Sequence, residues 1–159
     1  MSRSPTTPSD HATAGTGFEA SQAFLICSLA NRINVIAERS VRQRLDLSLM
    51  EWRVLVVLAV EPAAPPGRIV AIASVNKAAV SRAVNSLERR GLLERKARAP
   101  NSRRRLLYLT QAGLDLHDQG SSSRVQFEEQ LLMDLSATER EQFHRLLKLV
   151  LHNLDHSTL

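Results

Sequence analysis

A mainly α fold with one small β-hairpin is predicted by three features of this 159-residue chain. Apolar residues recur at helical spacing in long segments near both ends. Two serine capping boxes, "SLME" at 48–51 and "SATE" at 136–139, mark helix starts. Between them, the strand-like runs "LLERKA" (92–97) and "RLLYLT" (105–110) flank "RAPNSRR", whose Pro, Asn and Ser favour a turn.

Each element follows in order. Residues 1–17 are rich in Ser, Thr, Pro and Gly with nothing apolar to bury, which predicts a disordered leader. Leu25, Leu29, Ile33 and Ile36 then recur at spacings of four, four and three, which predicts a long amphipathic helix to about Leu45. The capping box at Ser48 opens a second helix, "WRVLVVLAV", apolar almost all round and so deep in the core. Proline in "EPAAPPG" breaks it, and the loop is expected to end at Gly67.

Arg68–Ser74 is predicted as a short helix with Ile69, Val70 and Ala73 inward. Asn76 caps the next, in which Val80, Ala83, Val84 and Leu87 share one face and Lys77, Ala78, Ser81, Arg82, Asn85 and Arg89 the other. Gly91 supplies the left-handed stop. After the hairpin, Thr110 caps a long helix that "GSSS" at 120–123 is expected to kink or break, because Gly and Ser lower helix propensity. The last helix carries Phe143, Leu146, Leu147, Val150, Leu151 and Leu154 on one stripe. That stripe needs a partner, and with the surplus stripe of the first helix it predicts a homodimer built from both chain ends.

Charge is unevenly placed. From Arg68 to Arg105 there are eleven Lys and Arg against two acids, a balance of +9 in a chain of net +5, which leaves the remainder at −4. A basic middle in an otherwise acidic chain is the footprint of a nucleic-acid surface. The 43% hydrophobic content supports a core without disulfides, and the lone Cys27 cannot form one within the chain. The polar opening lacks the apolar centre of a signal peptide, and the longest apolar run, 54–60, is too short for a membrane span. A cytoplasmic protein without membrane association is expected.

In this order of elements the chain resembles the MarR family of transcription regulators, a winged helix-turn-helix set between dimerisation helices. "LSLMEWRVL" is similar to the family's second helix, "NKAAVSRAVNSLERRGLLER" to its recognition helix and first wing strand, and "LYLTQAG" to the wing's return. "LSATEREQFHRLLKLVLHNL" matches the terminal dimerisation helix more loosely. The resemblance implies a leader at 1–17, an N-terminal dimerisation helix at 18–46, a winged helix-turn-helix at 47–110 and C-terminal dimerisation helices at 111–159. Two departures stand out: Asn76 and Asn101 replace aspartates usual in the family. Asn caps a helix about as well as Asp. Asn101 leaves the wing arginine, Arg103, without its usual acidic partner.

The function implied is sequence-specific DNA binding, by a homodimeric repressor released from a palindromic operator by a small effector such as an aromatic acid. Lys77, Ala78, Ser81, Arg82 and Asn85 are expected to face the major groove, where hydroxyl, amide and guanidinium groups read base edges. Arg103, Arg104 and Arg105 form the basic wing. The effector candidates are Trp52, with Arg32, Asn34 and Arg39 from the first helix and His117 from the helix after the wing. Core packing is the simpler role for Trp52.

Cys27 admits a redox-sensing alternative, since one branch of the family senses peroxides with a cysteine on this helix. Nothing nearby is suited to activating the thiol, and a buried structural cysteine is the expectation. His152 and His156 are four apart and His144 two turns earlier, but no further ligands complete a zinc site, so neither metal nor cofactor is expected. No nucleophile with its base and no phosphate-cradling glycine loop is present, which argues against an enzyme. A winged helix used for protein contact without DNA is disfavoured by the arginine-rich wing.

Overall fold

The computed structural model describes residues 21–73, 76–97 and 105–156. The expected leader at 1–17 lies outside them. Six helices and one hairpin follow in the order α1 (Gln22–Leu45), α2 (Leu49–Val60), α3 (Pro66–Ala73), α4 (Lys77–Arg89), β1 (Leu93–Ala97), β2 (Arg105–Leu109), α5 (Gln111–Leu131) and α6 (Ala137–Asp155). The mainly α fold with a winged hairpin is therefore present.

Local chemistry sets the helix boundaries. At α2 the Ser48 Oγ accepts from the Glu51 N–H at 3.2 Å while the Glu51 carboxylate accepts from the Ser48 N–H at 2.7 Å. Ser136 and Glu139 repeat this box at α6. α4 ends on Gly91 at φ 69°, where the Leu92 N–H reaches the Leu87 carbonyl at 3.0 Å and satisfies an otherwise orphaned acceptor. Thr110 caps α5 through the Gly113 N–H and donates its hydroxyl to the Gly91 carbonyl at 2.7 Å, joining the two helix ends across the hairpin.

The core forms around α2, whose Val54, Leu55 and Leu58 are buried with Ile69 of α3, Val80, Val84 and Leu87 of α4, Leu93 of β1 and Leu107 of β2. β1 and β2 pair antiparallel in the register Leu93 to Leu109 through Ala97 to Arg105. A third backbone joins them: Ala64 bridges to Leu107, whose N–H donates to the Ala64 carbonyl at 3.1 Å. Sequence reading took "EPAAPPG" as plain loop ending at Gly67. Instead α3 begins at Pro66, where the missing N–H is one the first turn leaves unpaired anyway.

The expected break in α5 is absent, since the helix runs unbroken through Gly120 to Ser123. Gly120 is there for packing. A Cβ at this position would overlap the six-membered ring of Trp52. Contact with α2 outweighs the ~1 kcal/mol of lost helix propensity.

α1 packs its C-terminal half on α2 and α5 and buries one side chain, Leu45. Leu25 at 50%, Leu29 at 39% and Ile36 at 53% stay exposed, and α6 buries nothing. Cys27 is exposed on α1, contrary to the buried thiol expected, because no described element of the chain covers that end of the helix.

Candidate nucleic-acid interface

α4 separates its faces cleanly. Val80, Ala83, Val84 and Leu87 are buried, while Lys77, Ala78, Ser81, Arg82 and Asn85 are exposed. The Asn76 Oδ1 accepts from the Ala79 N–H at 2.8 Å and so fixes the N-terminal turn that carries Lys77 and Ala78. With its apolar stripe anchored on α2 and α3, the helix offers the polar stripe at a fixed height above the core. Arg105 opens β2 opposite Ala97 and is exposed. Arg103, Arg104 and Asn101 lie outside the described residues.

Sequence reading missed the link between wing and helix. Arg95, on β1, donates from Nη2 to the Asn85 Oδ1 and pairs from Nε with the Glu88 carboxylate at 3.1 Å. Asn85 and Glu88, three apart on α4, thus form a fork that holds a strand arginine. No spacing in the sequence signals it, because the contact joins a strand to a helix. Lys96, next along, sits 5.2 Å from the Tyr108 ring centroid and pairs with Glu94, so it stays on the hairpin.

An open groove of about 770 Å³ lies between the α2 N-terminus and α4, lined by Ser48, Glu51, Arg82, Asn85, Ser86 and Arg89 among others. Glu51 is 8% exposed within it. Burial alone would push this carboxyl up, but hydrogen bonds from Ser86 and Ser48, with Arg90 nearby, hold it below the ordinary value. Glu38 on α1 reaches the same helix end. Its Oε2 accepts from the Leu49 N–H at 2.6 Å and its Oε1 from Arg42 at 2.7 Å. The backbone hydrogen bond and then Arg42 lower its pKa.

The five effector candidates do not meet in one place. Trp52 and His117 stack with centroids 5.7 Å apart and planes at 16°. Beside Trp52 is a cavity of about 90 Å³, lined by Val41, Leu45, Gly120 and Phe127 with Arg44 and Arg124. Asn34 and Arg39 line a different, open groove of about 550 Å³ on another face of α1, where Arg53 donates to the Asn34 Oδ1 at 2.7 Å. Arg32 is exposed and lines neither. His152 and His156 have ring centroids 4.2 Å apart on exposed helix, and among the described residues no three His, Cys, Asp or Glu group to hold a metal. No described helix is long and apolar enough to cross a membrane.

Comparison with known proteins fits this geometry. The sequence model of the MarR family matches residues 45–105, the stretch from the end of α1 to the start of β2. None of the curated proteins matches the chain. Among solved structures, a MarR/EmrR family transcriptional regulator from Acinetobacter sp. ADP1 is 28% identical, with a TM-score of 0.80 over 85% of this chain and 95% of that one. The fold is also that of MepR from S. aureus, solved as a DNA complex, at 23% identity and a TM-score of 0.75 over 86% of this chain and 98% of that one. PcaV from Streptomyces coelicolor, solved with its natural ligand, is similar at 22% identity and 0.74 over 88% and 98%. The family match falls on the helices and hairpin that build the basic surface, and the structural likeness runs through the flanking helices as well: residues 45–105 match the MarR family, and the chain as a whole is similar in fold to its winged helix-turn-helix transcription regulators.

Proposed function

We propose that the protein is a homodimeric repressor that binds a palindromic operator through α4 and the wing and is released by a small acidic effector. The observation that carries the DNA surface is the division of α4. Its apolar side is locked into the core, and its outer side collects Lys77, Ala78, Ser81, Arg82 and Asn85 with basic residues and little acid around them. Lysine and arginine there neutralise phosphate, the serine and amide address base edges, and Ala78 permits close approach. Arg103, Arg104 and Arg105 extend the surface along the flanking groove.

Dimerisation is supported by the exposed apolar faces of α1 and α6, which a monomer would leave in water. In such a dimer the two α4 helices address inverted half-sites about one helical turn apart. For the effector, the cavity at Trp52 suits an aromatic ring, and Arg44 and Arg124 suit its carboxylate. At about 90 Å³ it is smaller than the ~300 Å³ of common ligand sites, so binding there must move α1 and α5 apart. That displacement gives the effector a different affinity for the two states, which release requires.

Sequencing of genomic fragments bound by the protein, followed by screening of small aromatic acids for release, tests this reading. Enriched sites with two-fold symmetry that Arg82→Ala no longer enriches are expected. Asymmetric sites would overturn the dimer, and equal enrichment by Arg82→Ala would overturn the surface.

A further inference from the structure

We infer that Arg95 sets the base preference of Asn85, so that each half-site carries a keto base, guanine or thymine, where Asn85 meets the major groove. The inference rests on the DNA surface proposed above. A guanidinium can only donate, so the Asn85 side chain must turn its oxygen to Arg95, which fixes which end of the amide is which. Arg95 is itself fixed, because its Nε pairs with Glu88 one helical turn further along α4. The Asn85 Nδ2 has no hydrogen-bond partner among the described residues and is the polar end left for a ligand.

A free asparagine reads adenine with both ends, accepting from N6 and donating to N7. Here the accepting end is already engaged by a cation, and the donating end remains. Guanine O6 and N7 and thymine O4 are acceptors that such a donor satisfies. Cytosine presents only an amino group there, which faces an N–H rather than an oxygen; adenine still offers N7 to the donor, but its amino group loses the amide oxygen that a free asparagine would turn to it. Arg95 is a positioning residue: it touches no base, and it decides which base Asn85 tolerates.

Selection of bound duplexes from a fully randomised pool, run in parallel with the parent, Asn85→Ala, Asn85→Asp and Arg95→Met, tests the inference. The parent is expected to select guanine or thymine at one position per half-site, roughly tenfold over adenine and cytosine. Asn85→Ala should flatten that position alone. Asn85→Asp keeps an acceptor for Arg95 and removes the donor, and should move the preference to the amino bases, cytosine first. Arg95→Met, confirmed folded by its melting transition, should admit adenine at that position with the rest of the site unchanged. An Asn85-dependent position that is adenine in the parent overturns the clamp, as does one unmoved by both Asn85→Asp and Arg95→Met. If Asn85→Ala changes no position, the placement of α4 in the groove is wrong as well.

Discussion

Trp52 of α2 lies against Gly120 of α5 so closely that a side chain at 120 would enter its ring. Gly120→Ala therefore overpacks the contact at roughly 1–3 kcal/mol, against about 1 kcal/mol gained in helix propensity. A net loss of about 1 kcal/mol or more is expected in urea unfolding. A gain would mean that the α2–α5 contact has room to spare.

Glu38 ties the long first helix to the N-terminus of α2 through the Leu49 N–H. Its folded pKa lies below the ordinary 4.5, so its contribution is present at neutral pH and disappears as pH falls from that value through the folded one. Glu38→Gln should cost on the order of 1 kcal/mol at pH 7, the scale of a helix-capping contact. It should also make stability less sensitive to acid below about pH 4.5. Denaturant melts at pH 7 and pH 3 check both; an equal loss at the two values would remove the carboxylate from the explanation.

Leu107 is fully buried where the hairpin, the Ala64 bridge and α2 converge. Leu107→Ala should destabilise the fold by about 2–5 kcal/mol, the cost of a core cavity. A loss under ~1 kcal/mol would show that the wing packs loosely.

Leu151 and Leu154 on α6 are 61% and 62% exposed. The double change Leu151→Glu and Leu154→Glu should leave helicity intact and convert a sedimenting dimer into monomer. A persistent dimer would place the interface elsewhere.

What the sequence made legible divides along the range of the interactions. The two capping boxes, the Asn76 cap and the Gly91 stop were readable because each is settled within a few residues. The supposed break at Gly120 misled because propensity is local whereas Trp52 is 68 positions away in the chain. Cys27 misled for a related reason: a helical apolar stripe looks the same whether its own chain or a second copy covers it. At the interface, the exposed face of α4 followed from periodicity alone. The Arg95 fork did not, because it joins a strand to a helix and no spacing rule connects them.

The dependence of DNA affinity on salt, for a selected duplex and the double variant Lys77→Ala and Arg82→Ala, bears most directly on α4 as the binding surface. Each phosphate contact removed should reduce the slope of log K against log salt by about 0.9, with affinity falling at every salt concentration. Unchanged affinity and slope in the double variant would contradict the assignment of this face to DNA.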